Sequence, residues 1–125
     1  MIALIADIHG NAPALEASLE HIEKRGVDNI IMLGDVVGYG PHPGRCIEIL
    51  QQLETISMVR GNHDHVIALN KPSHHMNKLA AWSHQWSVEQ LTNEEREWLG
   101  DLPPYIEDDN WLAVHGAPID KSFFN

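Results

Sequence analysis

The run Ile2-Ala3-Leu4-Ile5-Ala6-Asp7-Ile8-His9-Gly10-Asn11 decides how this chain reads. Its apolar start suits a buried strand, and the strand leads into a carboxylate and an imidazole two positions apart. The layout recurs three more times. Ile30–Leu33 leads into Gly34-Asp35, and Ser57–Val59, followed by Arg60, into Gly61-Asn62-His63-Asp64. Trp111–Val114 leads into His115-Gly116. Carboxylate, amide and imidazole groups at four strand ends are what two converging metal ions would need.

Between these motifs the chain alternates strand and helix. Asn11 and Pro13 mark a helix start, Leu15, Leu19 and Ile22 repeat at helical spacing, and Gly26 stands where a left-handed cap is wanted. Asn29–Leu33 reads as the next strand, about Pro43–Leu53 as a second helix with Ile47, Leu50 and Leu53 on one side, and Thr55–Val59 as a third strand. A βαβαβ order predicts parallel strands with right-handed crossovers, which brings the carboxyl ends of the strands to one edge of the sheet. Asp7, Asp35 and Asn62 are therefore expected together.

The middle of the chain reads as helical. Leu79, Trp82 and Trp86 recur at i, i+3 and i+7, which predicts an inward-facing apolar stripe rather than a ligand cage. Thr92-Asn93-Glu94-Glu95 is a capping box opening a helix through Leu99. Tyr105–Glu107 and Trp111–Val114 flank Asp108-Asp109-Asn110 as a hairpin, and Trp111–Val114 is expected beside the parallel strands.

The 125 residues are expected to form one domain, 1–125, with the 43% hydrophobic content of a globular protein. No apolar run is long enough to span a bilayer, and the N-terminus lacks a signal-peptide pattern. The one cysteine, Cys46, cannot form an internal disulfide and fits a reducing compartment, so a cytoplasmic location is expected. A net charge of −10 argues against a nucleic-acid duplex as partner. Bound divalent cations would reverse the local sign and still attract a small phosphorylated substrate.

On an extended backbone Asp7 and His9, at i and i+2, would present both side chains on one face. A carboxylate beside a neutral imidazole suits Mn, Fe or Zn better than Ca. Asp35 has two oxygens and can bridge two cations. The spacing of Gly34, Gly38 and Gly40 mimics a phosphate loop but lacks the lysine of one. Asn62 can serve as a neutral ligand in a site rich in negative charge. His63 could protonate a leaving oxygen, with Asp64 holding its tautomer. The competing reading is that Asn62-His63-Asp64 only caps the following helix. His115 supplies a last imidazole, against the alternative of a buried structural histidine. His74-His75 point apart, and His21, His42, His65 and His84 read as surface or capping residues.

Asp7-Ile8-His9-Gly10-Asn11, Gly34-Asp35-x2-Gly38, Gly61-Asn62-His63-Asp64 and Val114-His115-Gly116, in that order, resemble the calcineurin-like metallophosphoesterase superfamily. The likeness runs from Met1 to about Ile119. Gly34-Asp35-Val36-Val37-Gly38-Tyr39-Gly40-Pro41 looks like a bacterial or archaeal phosphodiesterase-type branch. Related protein phosphatases carry Asp and a phosphate-binding Arg at the positions of Gly38 and Tyr39.

The resemblance implies an α/β fold, the N-terminal portion of a four-layer αββα sandwich. It implies that Asp7 and His9 hold one metal, that Asp35 bridges, and that Asn62 and His115 hold the second. His63 would be the acid and Asp64 its orienter. Two divalent ions, Mn first, with Fe, Zn, Ni or Co as alternatives, would lie roughly 3.5–4 Å apart while a metal-bound hydroxide attacks phosphorus. The family pattern continues to a late Gly-His-x-His, so the chain is expected to be C-terminally truncated. An open sheet face would follow, and with it self-association or a covering partner. Two functions compete: a dinuclear phosphoesterase, acting on mono- or diesters, and a catalytically impaired metal-binding or interaction module.

Overall fold

The computed structural model describes residues 1–72 and 74–119. Strand β1 (Ile2–Ile5) pairs in parallel with β2 (Asn29–Met32), and β2 with β3 (Ile56–Met58), in the order β1-β2-β3. The crossovers are α1 (Ala12–Lys24) and α2 (Pro43–Gln51), which pack against each other. This is the βαβαβ start expected from the sequence. The central strand is the buried one: Met32 is fully enclosed, whereas Ile2 and Leu4 of β1 remain exposed.

Local chemistry fixes the helix ends. Asn11 Oδ1 accepts the Ala14 N–H, Pro13 sits in the first turn of α1, and Gly26 follows at φ 65°. Glycine reaches that left-handed conformation without a Cβ penalty, so the chain can turn into β2. Beyond β3 come α3 (Asn62–Leu69), α4 (Lys78–Gln90) and α5 (Asn93–Asp101). Helix α5 opens on the expected capping box, with the Glu95 N–H donating to Thr92 Oγ1 and the Thr92 N–H to Glu95 Oε2. None of the described helices is long and apolar enough to cross a membrane.

Two expectations are overturned. Strand β5 (Trp111–Val114) does not join the parallel sheet; it pairs antiparallel with β4 (Tyr105–Asp108) as a separate two-stranded sheet. An apolar groove of about 480 Å3 separates it from β1 and β2, lined by Ile2, Leu4, Ile31, Leu33 and Leu112 among others. The stripe on α4 is also reversed. Leu79 (72% exposed) and Trp82 (64%) face outward and Trp86 is partly covered, while Ser83, His84, Ser87 and Val88 are buried. Packing against α2 and α3 decides the rotation of α4, and a hydrogen bond from the Tyr39 N–H to Ser83 Oγ (2.8 Å) turns its polar side inward.

Leu15, Val36, Val37, Ile47, Leu50 and Leu99 form the solvent-free centre of the core. Leu50→Ala should lower unfolding free energy by about 2–5 kcal/mol, and Leu79→Ala should stay within about 0.5 kcal/mol of wild type. Urea unfolding of the two variants measures the contrast, and equal losses would mean that α4 is rotated the other way.

Candidate metal centre

The loop after β1 does not stay extended. Asp7 (φ 54°) and His9 (φ 48°) are both left-handed, which corrects the expectation of a single extended face. Their side chains converge for a different reason: the loop is zipped onto the loop after β2. The N–H groups of Asp7, His9 and Gly10 donate to the carbonyls of Gly34, Asp35 and Val36, at 2.8–3.0 Å. Asp35 (φ 58°) and Tyr39 (φ 65°) are left-handed too. Of the five non-glycine residues at positive φ among the described residues, four lie here, the fifth being Asn70 at the end of α3. Such conformations persist only where surrounding contacts impose them.

Asp35 is the hub. Its Oδ1 accepts the His63 N–H at 3.0 Å. Its Oδ2 lies 3.7 Å from His9 Nε2 and 3.4 Å from His115 Nε2. His9 Nε2 is also 3.5 Å from Asp7 Oδ1, and His115 Nε2 is 2.9 Å from Asn62 Oδ1. One ligand atom each from Asp7, Asp35 and His115 falls within a 4.8 Å cluster. All five residues expected to hold metal are therefore gathered at the carboxyl edge of the sheet, with Asp35 between the two imidazoles.

The tautomers test whether cations fit. The Nδ1 atoms of His9 and His115 lie against the carbonyls of Val37 (3.2 Å) and Leu33 (2.8 Å). A carbonyl can only accept, so each Nδ1 must be the N–H donor, and a ring in its neutral form then turns an Nε2 lone pair toward the site. Those lone pairs face oxygens of Asp7, Asp35 and Asn62, which are acceptors as well. A cluster of acceptors facing acceptors is what a cation relieves, so the donor set fits divalent metal.

The role expected of Asp64 is corrected. Its carboxylate is fully buried and accepts three backbone N–H groups: Asp35 (2.8 Å) and Gly61 (3.0 Å) at Oδ2, and Val37 (3.2 Å) at Oδ1. It clamps the Asp35 loop to the start of α3 instead of orienting His63. The capping alternative was right for this residue, since Asp64 sits at the third position of α3 and binds the Gly61 N–H. Burial pushes its pKa up to about 6 against the pull of those N–H groups. Burial also raises Asp35, opposed by His115, the His63 N–H and His9. Gly61 is required where it stands, because a Cβ there would run into Asp35 Oδ1.

His63 is half-buried, with its ring edge-on to His9 (centroids 5.1 Å apart) and tilted against Tyr39 (4.8 Å). Burial, then the neighbouring His9, holds its pKa below the ordinary value. Tyr39 completes the group by packing on His9 at 5.1 Å. Sequence reading treated Tyr39 only as a replacement for other residues; its place directly after Gly38 in the Asp35 loop was the available signal. Cys46 is buried, with its thiol pushed up to about 11, which removes it as a nucleophile.

His84 is also corrected. It is buried, and among the described residues both ring nitrogens lack a hydrogen-bond partner. His21, His42, His74 and His75 are exposed, which for His21 and His42 is the surface position expected.

Residues 1–124 match the profile of the calcineurin-like phosphoesterase family. The chain belongs to that family. It is 41% identical over 108 residues to the uncharacterized protein MJ0912 of Methanocaldococcus jannaschii, covering 86% of this chain and 44% of that one. It is 35% identical over 68 residues to phosphodiesterase YfcE of Escherichia coli, covering 47% of this chain and 37% of YfcE. The crystal structure of a metallophosphoesterase from Sphaerobacter thermophilus superposes with a TM-score of 0.77 at 39% identity, over 94% of this chain and 47% of that one. The chain thus spans less than half the length of these three relatives.

Burial, then the charge of His63, lowers the pKa of His84 from its ordinary 6.5. Below pH 6.5 the unfolded chain binds a proton that the folded chain resists, so this group costs stability as pH falls through that value toward the folded pKa. His84→Leu removes the cost. Thermal unfolding from about pH 7 to about pH 5 should show the variant gaining on wild type as pH falls, and parallel curves would place His84 in water.

Proposed function

We propose that this chain hydrolyses a phosphate mono- or diester with two divalent cations held around the Asp35 carboxylate. The observation that carries the reading is the position of Asp35 Oδ2, 3.7 Å from His9 Nε2 and 3.4 Å from His115 Nε2, with Oδ1 fixed by the His63 N–H. Asp7 and His9 would hold one cation, Asn62 and His115 the other, and Asp35 both. Mixed carboxylate and imidazole donors favour Mn, with Fe, Zn, Ni and Co as alternatives. When bound, such a pair neutralises phosphate charge and lowers the pKa of water.

The chain's own residues supply the rest. The Asp64 clamp and the Nδ1–H bonds of His9 and His115 fix the donors before substrate arrives, which limits reorganisation during reaction. His63 gives the site a proton donor. A lowered pKa makes the protonated ring release its proton readily to a departing alkoxide while leaving less of it protonated at neutral pH, and the edge contact with His9 sets the ring beside the metal ligands. Similarity to a phosphodiesterase of Escherichia coli supports the diester as the first substrate to try.

A metal-binding interaction module is the second reading, and the exposed Ile2, Leu4 and Leu112 beside the β5 groove favour it. That surface is where self-association or a covering partner would act. Manganese retained without hydrolysis of any ester would select this reading.

Calorimetric titration with Mn²⁺ should show Asp35→Asn losing affinity at both positions and Asn62→Ala mainly at one; equal losses would remove the bridging assignment. His63→Ala should keep its metal while hydrolysis of a bis-aryl phosphate falls roughly 10²–10⁴-fold, the range for a general acid. Metal loss in step with the rate would make His63 a ligand instead.

A further inference from the structure

Beside His63 and the proposed metal ligand Asn62 opens a cleft of about 440 Å3. Tyr39 stands on one side, and Val66 of α3, Met76 just before α4 and Ala80 within α4 give it apolar walls. We propose that this cleft receives the alcohol half of the phosphate ester, and that it takes an uncharged flat group, an aryl ring or a nucleobase. The assignment rests on the phosphoesterase reading for its link to catalysis and on the cleft's own chemistry for its ligand class.

Three observations support it. First, the cleft begins at His63, so a group leaving with the proton of His63 enters it directly. Second, Tyr39 is held in place and still 54% exposed. Its backbone is left-handed (φ 65°), its N–H donates to Ser83 Oγ at 2.8 Å, and its ring packs on His9 and His63. A large aromatic ring fixed at a cleft mouth is a stacking platform for any flat π-system. Ser83 acts as the positioning residue for it.

Third, no lysine or arginine is among the described residues lining the cleft; its polar lining is two amides, Asn62 and Asn77, and two imidazoles, His63 and His75. A second phosphate or a carboxylate would meet no permanently charged cation there, only imidazoles, and so would be poorly compensated. An uncharged ring with hydrogen-bonding edges meets apolar walls and amides instead. The volume lies within the roughly 300–1,000 Å3 of small-molecule pockets, and the flexible side chain of Met76 can adapt to rings of different outline.

Ala80→Phe fills the cleft without disturbing the start of α4, because Asn77 caps that helix through the Ala80 backbone N–H. Met76→Trp, placed before the helix, fills it independently should the first variant not fold. The full chain is titrated by NMR with 4-nitrophenol and, separately, with inorganic phosphate in the presence of Mn²⁺. Wild type should bind 4-nitrophenol with shifts at Tyr39, Val66 and Met76. The filling variant should bind it at least about tenfold more weakly, in line with the discrimination an apolar pocket gives for small steric changes, with phosphate affinity unchanged. Tyr39→Phe should keep nitrophenol binding and Tyr39→Ala should lose it.

Shifts elsewhere, or equal weakening of nitrophenol and phosphate, would overturn the subsite. A bis-aryl phosphate assay on the same wild-type sample separates the two claims. Nitrophenol bound in the cleft without hydrolysis counts against the phosphoesterase reading and for the cleft's ligand class; hydrolysis without nitrophenol shifts keeps the reading and overturns the cleft.

Discussion

The carboxylate of Asp64 is the tie on which the centre depends. It is fully buried and gathers three N–H groups, from Asp35 and Val37 after β2 and from Gly61 before α3. Without it those donors would be enclosed and unpaired, at about 1–3 kcal/mol each. With it, the loop carrying Asp35 and the helix carrying Asn62 and His63 are tied together. A buried carboxylate is expensive in itself, as its raised pKa shows. The fold retains it because no neutral side chain of that size offers acceptors on both oxygens.

From that tie the site extends by backbone contacts. The N–H groups of Asp7, His9 and Gly10 lock onto the Asp35 loop, and the His9 and His115 rings take their tautomers from the Val37 and Leu33 carbonyls. Four left-handed residues are thereby imposed on Asp7, His9, Asp35 and Tyr39. Strain of this kind is tolerated where converging ligands need it, and here it turns side chains from two loops toward one point. The centre is preorganised by main chain, which explains how so small a set of elements can hold it.

Much of this was legible in the residues. The strand runs, the Asn11 and Thr92 caps, Gly26 and the ligand motifs gave the βαβαβ order and the identities at the sheet edge. These are signals over a few residues, governed by local sterics and hydrogen bonding. Helix α4 was misread because periodicity shows that Leu79, Trp82 and Trp86 share a face without showing which way that face turns. Helices packing from outside and the Tyr39–Ser83 bond made that choice. Asp64 was misread for a related reason: a carboxylate next to a histidine in sequence need not touch it, since adjacent helical residues point in different directions.

The sequence by itself determined that parallel strands would bring Asp7, Asp35 and Asn62 to one edge, because a helical crossover returns the chain in the same direction and its handedness follows from chain chirality. Only the tertiary structure decided that Asp64 is a clamp, that His84 is enclosed, that Tyr39 stands over His9 and His63, and that the expected β4–β5 hairpin stays out of the parallel sheet. Each of these depends on contacts between segments far apart in the chain, and such contacts are chosen by the packing of the whole molecule rather than by any local pattern.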